Sequence, residues 1–166
     1  MPLTQGVVSI HSAPSALCPH IEWALGGVLG VPAGLHWTPQ PAERGAYRAE
    51  ASWRGPVGSA ARLASAMKNW ARVRFEVTED ATVDSEGERY SYTPALGVFH
   101  CNVSRNGDVL VHEERLRTAV LRHRDAADLR HALDQLMGTP WDAELDVFRA
   151  ALADDGADVR WMHRVG

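Results

Sequence analysis

Apolar and polar residues alternate along the first half of the chain in a way that predicts four strands and two helices. Residues 6–11, 47–54 and 72–78 alternate with the period of half-buried strands. Residues 35–39 form a short edge strand, because Pro39 and Pro41 are excluded from the centre of a sheet. Helical spacing begins near Pro19 and again after Gly55-Pro56. The two apolar stripes are Ile21, Ala24, Leu25, Val28 and Leu29, then Val57, Ala60, Leu63, Ala64, Met67 and Ala71.

The order of these elements predicts a ferredoxin-like βαββαβ arrangement, with both helices on one face of the sheet. The alternative is that residues 39–46 make a long excursion and the topology differs.

The second half of the chain predicts a β-hairpin and two further helices. Asn106-Gly107 lies between two β-rich segments and is typical of a two-residue hairpin turn, with strands over 97–104 and 109–114. One helix follows Asp125, and another follows Thr139-Pro140. Residues 158–165 are a last strand or an ordered tail. We therefore expect one α+β domain over residues 1–166, ferredoxin-like over 1–80 and extended by the hairpin and helices over 81–166.

The composition of the chain limits the classes of partner and the cellular location that we expect. With a net charge of −4 over 166 residues, the chain has no general attraction for nucleic acid or acidic membranes. There is no secretory leader and no apolar run as long as a membrane span, so a soluble, cytoplasmic protein is expected. The two cysteines, Cys18 and Cys101, are far apart and form no CxxC pair, which favours reduced thiols.

The turn between the first strand and the first helix holds the densest group of reactive side chains. It carries His11, Ser12, Cys18 and His20, followed by Trp23. A cysteine at a helix N-terminus beside histidine suits a reactive thiolate, and two histidines with one cysteine suit zinc if His100 is a fourth ligand. The simpler interpretation is a buried, inert Cys18. We expect no bound metal, because no local ligand spacing is complete.

Trp23 stands one position off the apolar stripe of its helix, so we expect it to flank the core and to cover the turn or anchor a partner. We also expect the turn to lie beside the segment from Tyr90 to His100, so that both form one polar cleft at an end of the sheet.

Two other groups of residues have a chemical and a structural interpretation. A two-residue hairpin loop at Asn106-Gly107 would place Cys101 opposite His112, either as a catalytic pair or as an ordinary cross-strand pair. Residues 54–59 put Arg54 and two glycines at a helix start, where a phosphate binds or a tight connection simply needs glycine.

Several of these segments together resemble a family of small actinobacterial proteins known only as a domain of unknown function. The matching stretches are His11-Ser12-Ala13-Pro14, Leu17-Cys18-Pro19-His20, Glu22-Trp23-Ala24, Gly27-Val28-Leu29-Gly30, Phe75-Glu76-Val77, Glu86-Gly87-Glu88-Arg89-Tyr90-Ser91, Thr93-Pro94 and Leu96-Gly97-Val98-Phe99-His100. The resemblance implies no activity, cofactor or catalytic residue.

The absence of a complete catalytic or cofactor signature favours a non-enzymatic binding or regulatory module for a protein partner or small ligand, with no cofactor. Its expected contact residues are His11, Ser12, Cys18, His20, Trp23, Tyr90 and His100. The competing function is an enzyme that uses Cys18 with His11 or His20.

Overall fold

A computed structural model describes residues 1–153, with side chains through residue 150. The predicted segment 158–165 lies outside the described residues. Within residues 1–153, seven strands form one antiparallel sheet in the order β2-β3-β1-β4-β5-β6-β7. Their bounds are β1 Leu3–Pro14, β2 Thr38–Pro39, β3 Ala46–Pro56, β4 Arg74–Glu79, β5 Gly87–Thr93, β6 Gly97–Val103 and β7 Val109–Leu110. The helices are α1 Cys18–Leu29, α2 Ser59–Met67, α3 Glu113–Arg122, α4 Ala126–Met137 and α5 Thr139–Ala153, with a 3-10 turn at Ser15–Leu17.

The predicted α+β class is confirmed, and the first half has the predicted βαββαβ order of elements. β3 lies between β1 and β2, and β1 lies between β3 and β4, so each βαβ unit is split by a strand of the other. All of these pairs are antiparallel. β2 is only two residues long, because the prolines near it cannot extend a strand ladder.

The main core lies between this sheet and the helices α1 and α2. Alternation places Val8, Ile10 and Phe75 on the face that these helices cover, where Leu25 and Leu63 are fully buried. The other side chains of β1 and β4 therefore point to the opposite face. α5 packs against that second face through β1 and β5.

Between residues 81 and 153 the structure has three helices, whereas the sequence predicts two. Residues 109–114 were predicted to be a strand, but β7 ends at Leu110 and α3 begins at Glu113. The two acidic residues in the first turn and Arg122 in the last turn complement the helix dipole, which favours a helix in this segment.

The hairpin between β6 and β7 is also shifted by one residue from its predicted register. Asn102 pairs with Leu110 and Val103 with Val109, around a loop closed by hydrogen bonds between Ser104 and Asp108. A shift of one residue moves every side chain of a strand to the other face.

Candidate functional site

A buried ion-pair cluster joins α5 to the second face of the sheet. Glu76 on β4 is fully buried, and its carboxylate lies 2.8 Å from His11 Nε2 on β1 and 3.1 Å from Arg149 Nε on α5. Ser91 on β5 donates a hydrogen bond to Glu76 over 3.1 Å, and Arg149 Nη2 donates another to the same oxygen. The one sign of this cluster in the sequence is a glutamate at a polar position of a strand.

The carboxylate of Glu76 is fully engaged by these donors. Burial by itself raises the pKa of Glu76, but the hydrogen bond and charge of His11 and the charge of Arg149 outweigh it and hold the pKa well below its ordinary value of 4.5. Arg149 is held in turn by Asp142 and Asp146 on its own helix, at 3.0 and 3.1 Å. The cluster therefore fastens α5 to the sheet, which gives His11 a structural role.

Ser12 and its neighbours tie the end of β1 to the segment that follows β2. The register of β1 changes between Ile10 and Ala13, and His11 and Ser12 are both buried there. The hydroxyl of Ser12 donates a hydrogen bond to Glu43, which also lies 3.0 Å from Arg74. Gln40 donates a hydrogen bond of 2.7 Å to the backbone carbonyl of His11.

The structure does not bring His11, Cys18 and His20 together. Cys18 is buried in the core under α1 and α2, whereas His11 points to the face under α5 and His20 is exposed. The Cys18 Sγ atom lies 3.5 Å from the backbone carbonyl of Pro14. Burial, followed by the charge of Glu22, raises the pKa of the Cys18 thiol, which is the reverse of what a thiolate nucleophile needs.

The predicted cleft between the turn and the segment from Tyr90 to His100 is wrong. Tyr90 pairs with His100 across β5 and β6, and their rings stack 4.6 Å apart. Alternation puts this pair on the sheet face opposite to His11, since Ser91 is the residue that reaches Glu76. Burial and the nearby Glu88 carboxylate raise the pKa of Tyr90 to about 12. His100 Nε2 lies 3.7 Å from Glu88.

The predicted pairing of Cys101 with His112 is also wrong, because of the shifted hairpin register. Cys101 is buried and pairs with Arg89 on β5, and burial raises the pKa of its thiol. His112 is exposed at the start of α3, with its Nε2 atom 3.0 Å from Asn102. The Cys101 thiol is therefore buried, the His112 imidazole is exposed, and the two do not form a pair.

The helix start at residues 54–59 is already occupied by an anion from the protein itself. α2 begins at Ser59, and the backbone N–H groups of Gly58 and Ala60 donate to the carboxylate of Glu79 over 2.8 and 2.9 Å. Glu79 is buried on β4. Because a side-chain carboxylate fills the position that a phosphate would take, the glycines serve a tight strand–helix connection.

α1 turns a different surface to solvent, and Trp23 is its largest residue. Trp23 is 82% exposed, in agreement with its position off the buried stripe. Gly26, Gly27 and Gly30 follow it at helical spacings of three, four and seven, so they share its side of the helix. These residues and the following loop, with Val31 and Pro32, line an open groove of about 930 Å³. We call this surface the Trp23 groove.

A hydrogen bond to Glu22 holds one side of the Trp23 groove in place. Trp37 donates a hydrogen bond of 3.2 Å from its indole nitrogen to Glu22, which ties the segment after the loop to α1. Among the described residues, Glu22 is also the one acidic side chain that lines the groove; the remaining lining is apolar or glycine and contains no basic residue. The sequence signal for the groove is the Trp-x-x-Gly-Gly-x-x-Gly spacing from Trp23 to Gly30, which contains no reactive side chain.

No helix within residues 1–153 is both long enough and apolar enough to cross a membrane.

No curated protein and no solved structure matches the chain. Residues 7–164 match a protein family described as "Protein of unknown function (DUF3145)". The chain therefore belongs to the DUF3145 family.

Proposed function

We propose that this protein is a non-enzymatic binding module and that the Trp23 groove receives an apolar segment of a protein partner. The observation that carries the proposal is Gly27. This residue is exposed in the last turns of α1, and a Cβ atom added to it would meet no atom of the described residues within 4 Å. Glycine inside a helix is less favourable than alanine by about 0.8–1 kcal/mol. Glycine at this position therefore does not improve packing among the described residues. It would, however, let a partner approach the helix backbone closely.

The neighbouring glycines have reasons within the fold, which makes Gly27 informative. A Cβ atom on Gly26 would lie 3.3 Å from the carbonyl oxygen of Val31. Gly30 ends the helix at a φ of +73°, a left-handed conformation that favours glycine. Gly27 shares neither constraint and lies one helical turn from Trp23.

Trp23 supplies the matching anchor for a partner. Exposed tryptophans are rare in soluble proteins, and tryptophan is enriched among the residues that dominate protein–protein affinity. Because the indole of Trp23 stands beside the Trp23 groove, a partner can cover the ring and at the same time place its own apolar side chain over the glycines. The alternative of a thiol enzyme has less support, because the two cysteines are buried and have raised pKa values.

The test is affinity capture from an extract of the cells that make the protein, with the full chain as bait and quantification of every bound protein. Trp23→Ala should lower the retention of the partner at least tenfold, since loss of a tryptophan anchor costs about 2 kcal/mol or more. The control is Val147→Ala, which shortens an apolar side chain of α5 that is 62% exposed. This control should leave retention unchanged.

A second variant separates binding from folding. Gly27→Lys places a long side chain in the groove, and a better helix former with a positive charge near the helix C-terminus should raise the free energy of unfolding by about 0.5–1 kcal/mol. The same change should abolish capture, whereas Val147→Lys should not. Capture by Gly27→Lys at the level of the unmodified chain would refute the proposal.

A further inference from the structure

The Trp23 groove carries a negative charge beside its exposed indole. Glu22 directly precedes Trp23 in α1, and both residues line the groove. The Oε1 atom of Glu22 accepts the hydrogen bond of 3.2 Å from Trp37. Its Oε2 atom has no hydrogen-bond or ion-pair partner among the described residues. Because an ionised carboxylate accepts several hydrogen bonds, Glu22 can bind a cationic donor that enters the groove.

The C-terminal end of α1 adds to this negative charge. Gly26 and Gly27 in the last turns of α1 line the groove, together with Gly30 at the helix end. The C-terminus of a helix carries a partial charge of about −0.5. No basic residue stands in the last turn of α1 to offset it, whereas α3 has Arg122 in its last turn. A cation in the Trp23 groove would therefore be attracted by the helix end as well as by Glu22.

The other ionisable side chains around α1 do not line the groove. His20 stands one helical turn before Trp23, and His36 follows the loop; both are exposed. The helix α2, which packs against α1, carries Arg62 and Lys68, and these are also exposed and outside the lining. At about pH 8, where histidine is uncharged, the described lining thus has a net negative charge.

We propose, on the basis of the function proposed above, that the partner segment in the Trp23 groove carries an arginine next to its apolar side chain. The arginine stacks on the indole of Trp23 and donates a hydrogen bond to Oε2 of Glu22. A guanidinium group suits both contacts, because it is planar, is attracted to the face of a tryptophan ring and pairs with carboxylates. An acidic side chain in the same place would be repelled by Glu22 and by the helix end.

The apolar part of the lining explains why the arginine needs an apolar neighbour. Val31 and Pro32 in the loop after α1 are exposed and lie in the groove with Ala33. A partner that covers these residues removes water from the groove, and the pairing of arginine with carboxylate is stronger where water is excluded. The glycines of α1 leave room for the apolar side chain.

Phage display of random short peptides tests the proposal, because it identifies the chemistry that the groove selects. The full chain is the bait at about pH 8, and peptides that also bind Trp23→Ala are removed. Among the peptides that remain, arginine close to a large apolar residue should be severalfold more frequent than in the unselected library. Trp23-dependent peptides without this enrichment would overturn the proposal but leave the groove as a binding surface. Recovery of no Trp23-dependent peptide would overturn it together with the proposed function.

Glu22→Gln measures the contribution of the charge to the binding of a selected peptide. The amide oxygen of glutamine still accepts the hydrogen bond from Trp37, so the substitution removes the charge and keeps this contact. In titration calorimetry, affinity should fall roughly tenfold and should depend less on salt. The control is Glu86→Gln at an exposed position in the loop between β4 and β5, which should leave affinity unchanged.

A change in the peptide completes a double-mutant cycle with Glu22→Gln. Citrulline has the shape of arginine without its charge, so a peptide with citrulline in place of arginine should bind the unmodified chain roughly tenfold more weakly. The same peptide should lose little further affinity on Glu22→Gln. Equal affinity of Glu22→Gln and the unmodified chain for the arginine peptide would overturn the proposal, as would losses that simply add.

Discussion

Arg149→Met is the change that most directly tests how the helix α5 is held on the sheet. The substitution keeps an unbranched side chain of similar length but removes both hydrogen bonds that the guanidinium donates to Glu76. Hydrogen bonds to charged groups contribute about 1.5–3 kcal/mol each, and breaking a buried ion pair costs about 3–5 kcal/mol. Because His11 and Ser91 still contact Glu76, we expect a loss near the lower end, about 3 kcal/mol.

Urea unfolding at neutral pH measures this loss. The matched control is Arg130→Met, which makes the same change at an exposed position of α4 and should alter the free energy of unfolding by no more than about 0.5 kcal/mol. A result for Arg149→Met no larger than that of Arg130→Met would refute the assignment of Arg149 as the fastener of α5.

The pH dependence gives a second, independent check. The pKa of Glu76 is lower in the folded chain than in the unfolded chain, so its ionised form stabilises the fold at all pH values above the ordinary pKa of 4.5. This stabilisation is lost as the pH falls below 4.5 toward the folded pKa. The difference in stability between the unmodified chain and Arg149→Met should therefore shrink below pH 4.5 and stay constant from there to neutral pH. A difference that is equally large in acid would show that the charge of Glu76 is not its cause.

Three further predictions concern the fold around the site. Glu79→Ala should lower the free energy of unfolding by about 2–4 kcal/mol in urea titrations, because it leaves the buried N–H group of Ala60 and the partly buried N–H group of Gly58, at the start of α2, without an acceptor. Gly138→Ala should lower the melting temperature far more than Gly30→Ala; both glycines have positive φ, but only at Gly138 would the new Cβ atom lie 2.4 Å from the ring of Phe99. Cys18 should react with iodoacetamide much more slowly in the folded chain than in urea at the same pH, and equal rates would revive the hypothesis of a reactive thiol.

The parts of the fold that could be predicted are those whose signal is local. Alternation around Val8 and around Ala51 placed β1 and β3 correctly, and the stripe from Ile21 to Leu29 placed α1. The position of Trp23 outside the core follows from the same periodicity. These patterns work because each helix or strand buries one face against a large common core.

The parts that could not be predicted depend on contacts between distant residues or on a single position of register. Glu76, His11 and Arg149 are widely separated in sequence, and a glutamate at a polar position of a strand gives no sign that α5 will cover it. The hairpin after β6 uses a longer loop than Asn106-Gly107 suggests, and one residue of shift was enough to separate Cys101 from His112.

Hydroxyl-radical footprinting of the chain in an extract of its own cells, compared with the purified chain, tests the central claim of partner binding without any substitution. We expect the oxidation of Trp23 to fall severalfold in the extract, while the oxidation of the exposed Val147 on α5 is unchanged relative to the purified chain. Equal oxidation of Trp23 in both samples, at the concentration of the protein in the cell, would contradict the claim that the Trp23 groove is a binding surface.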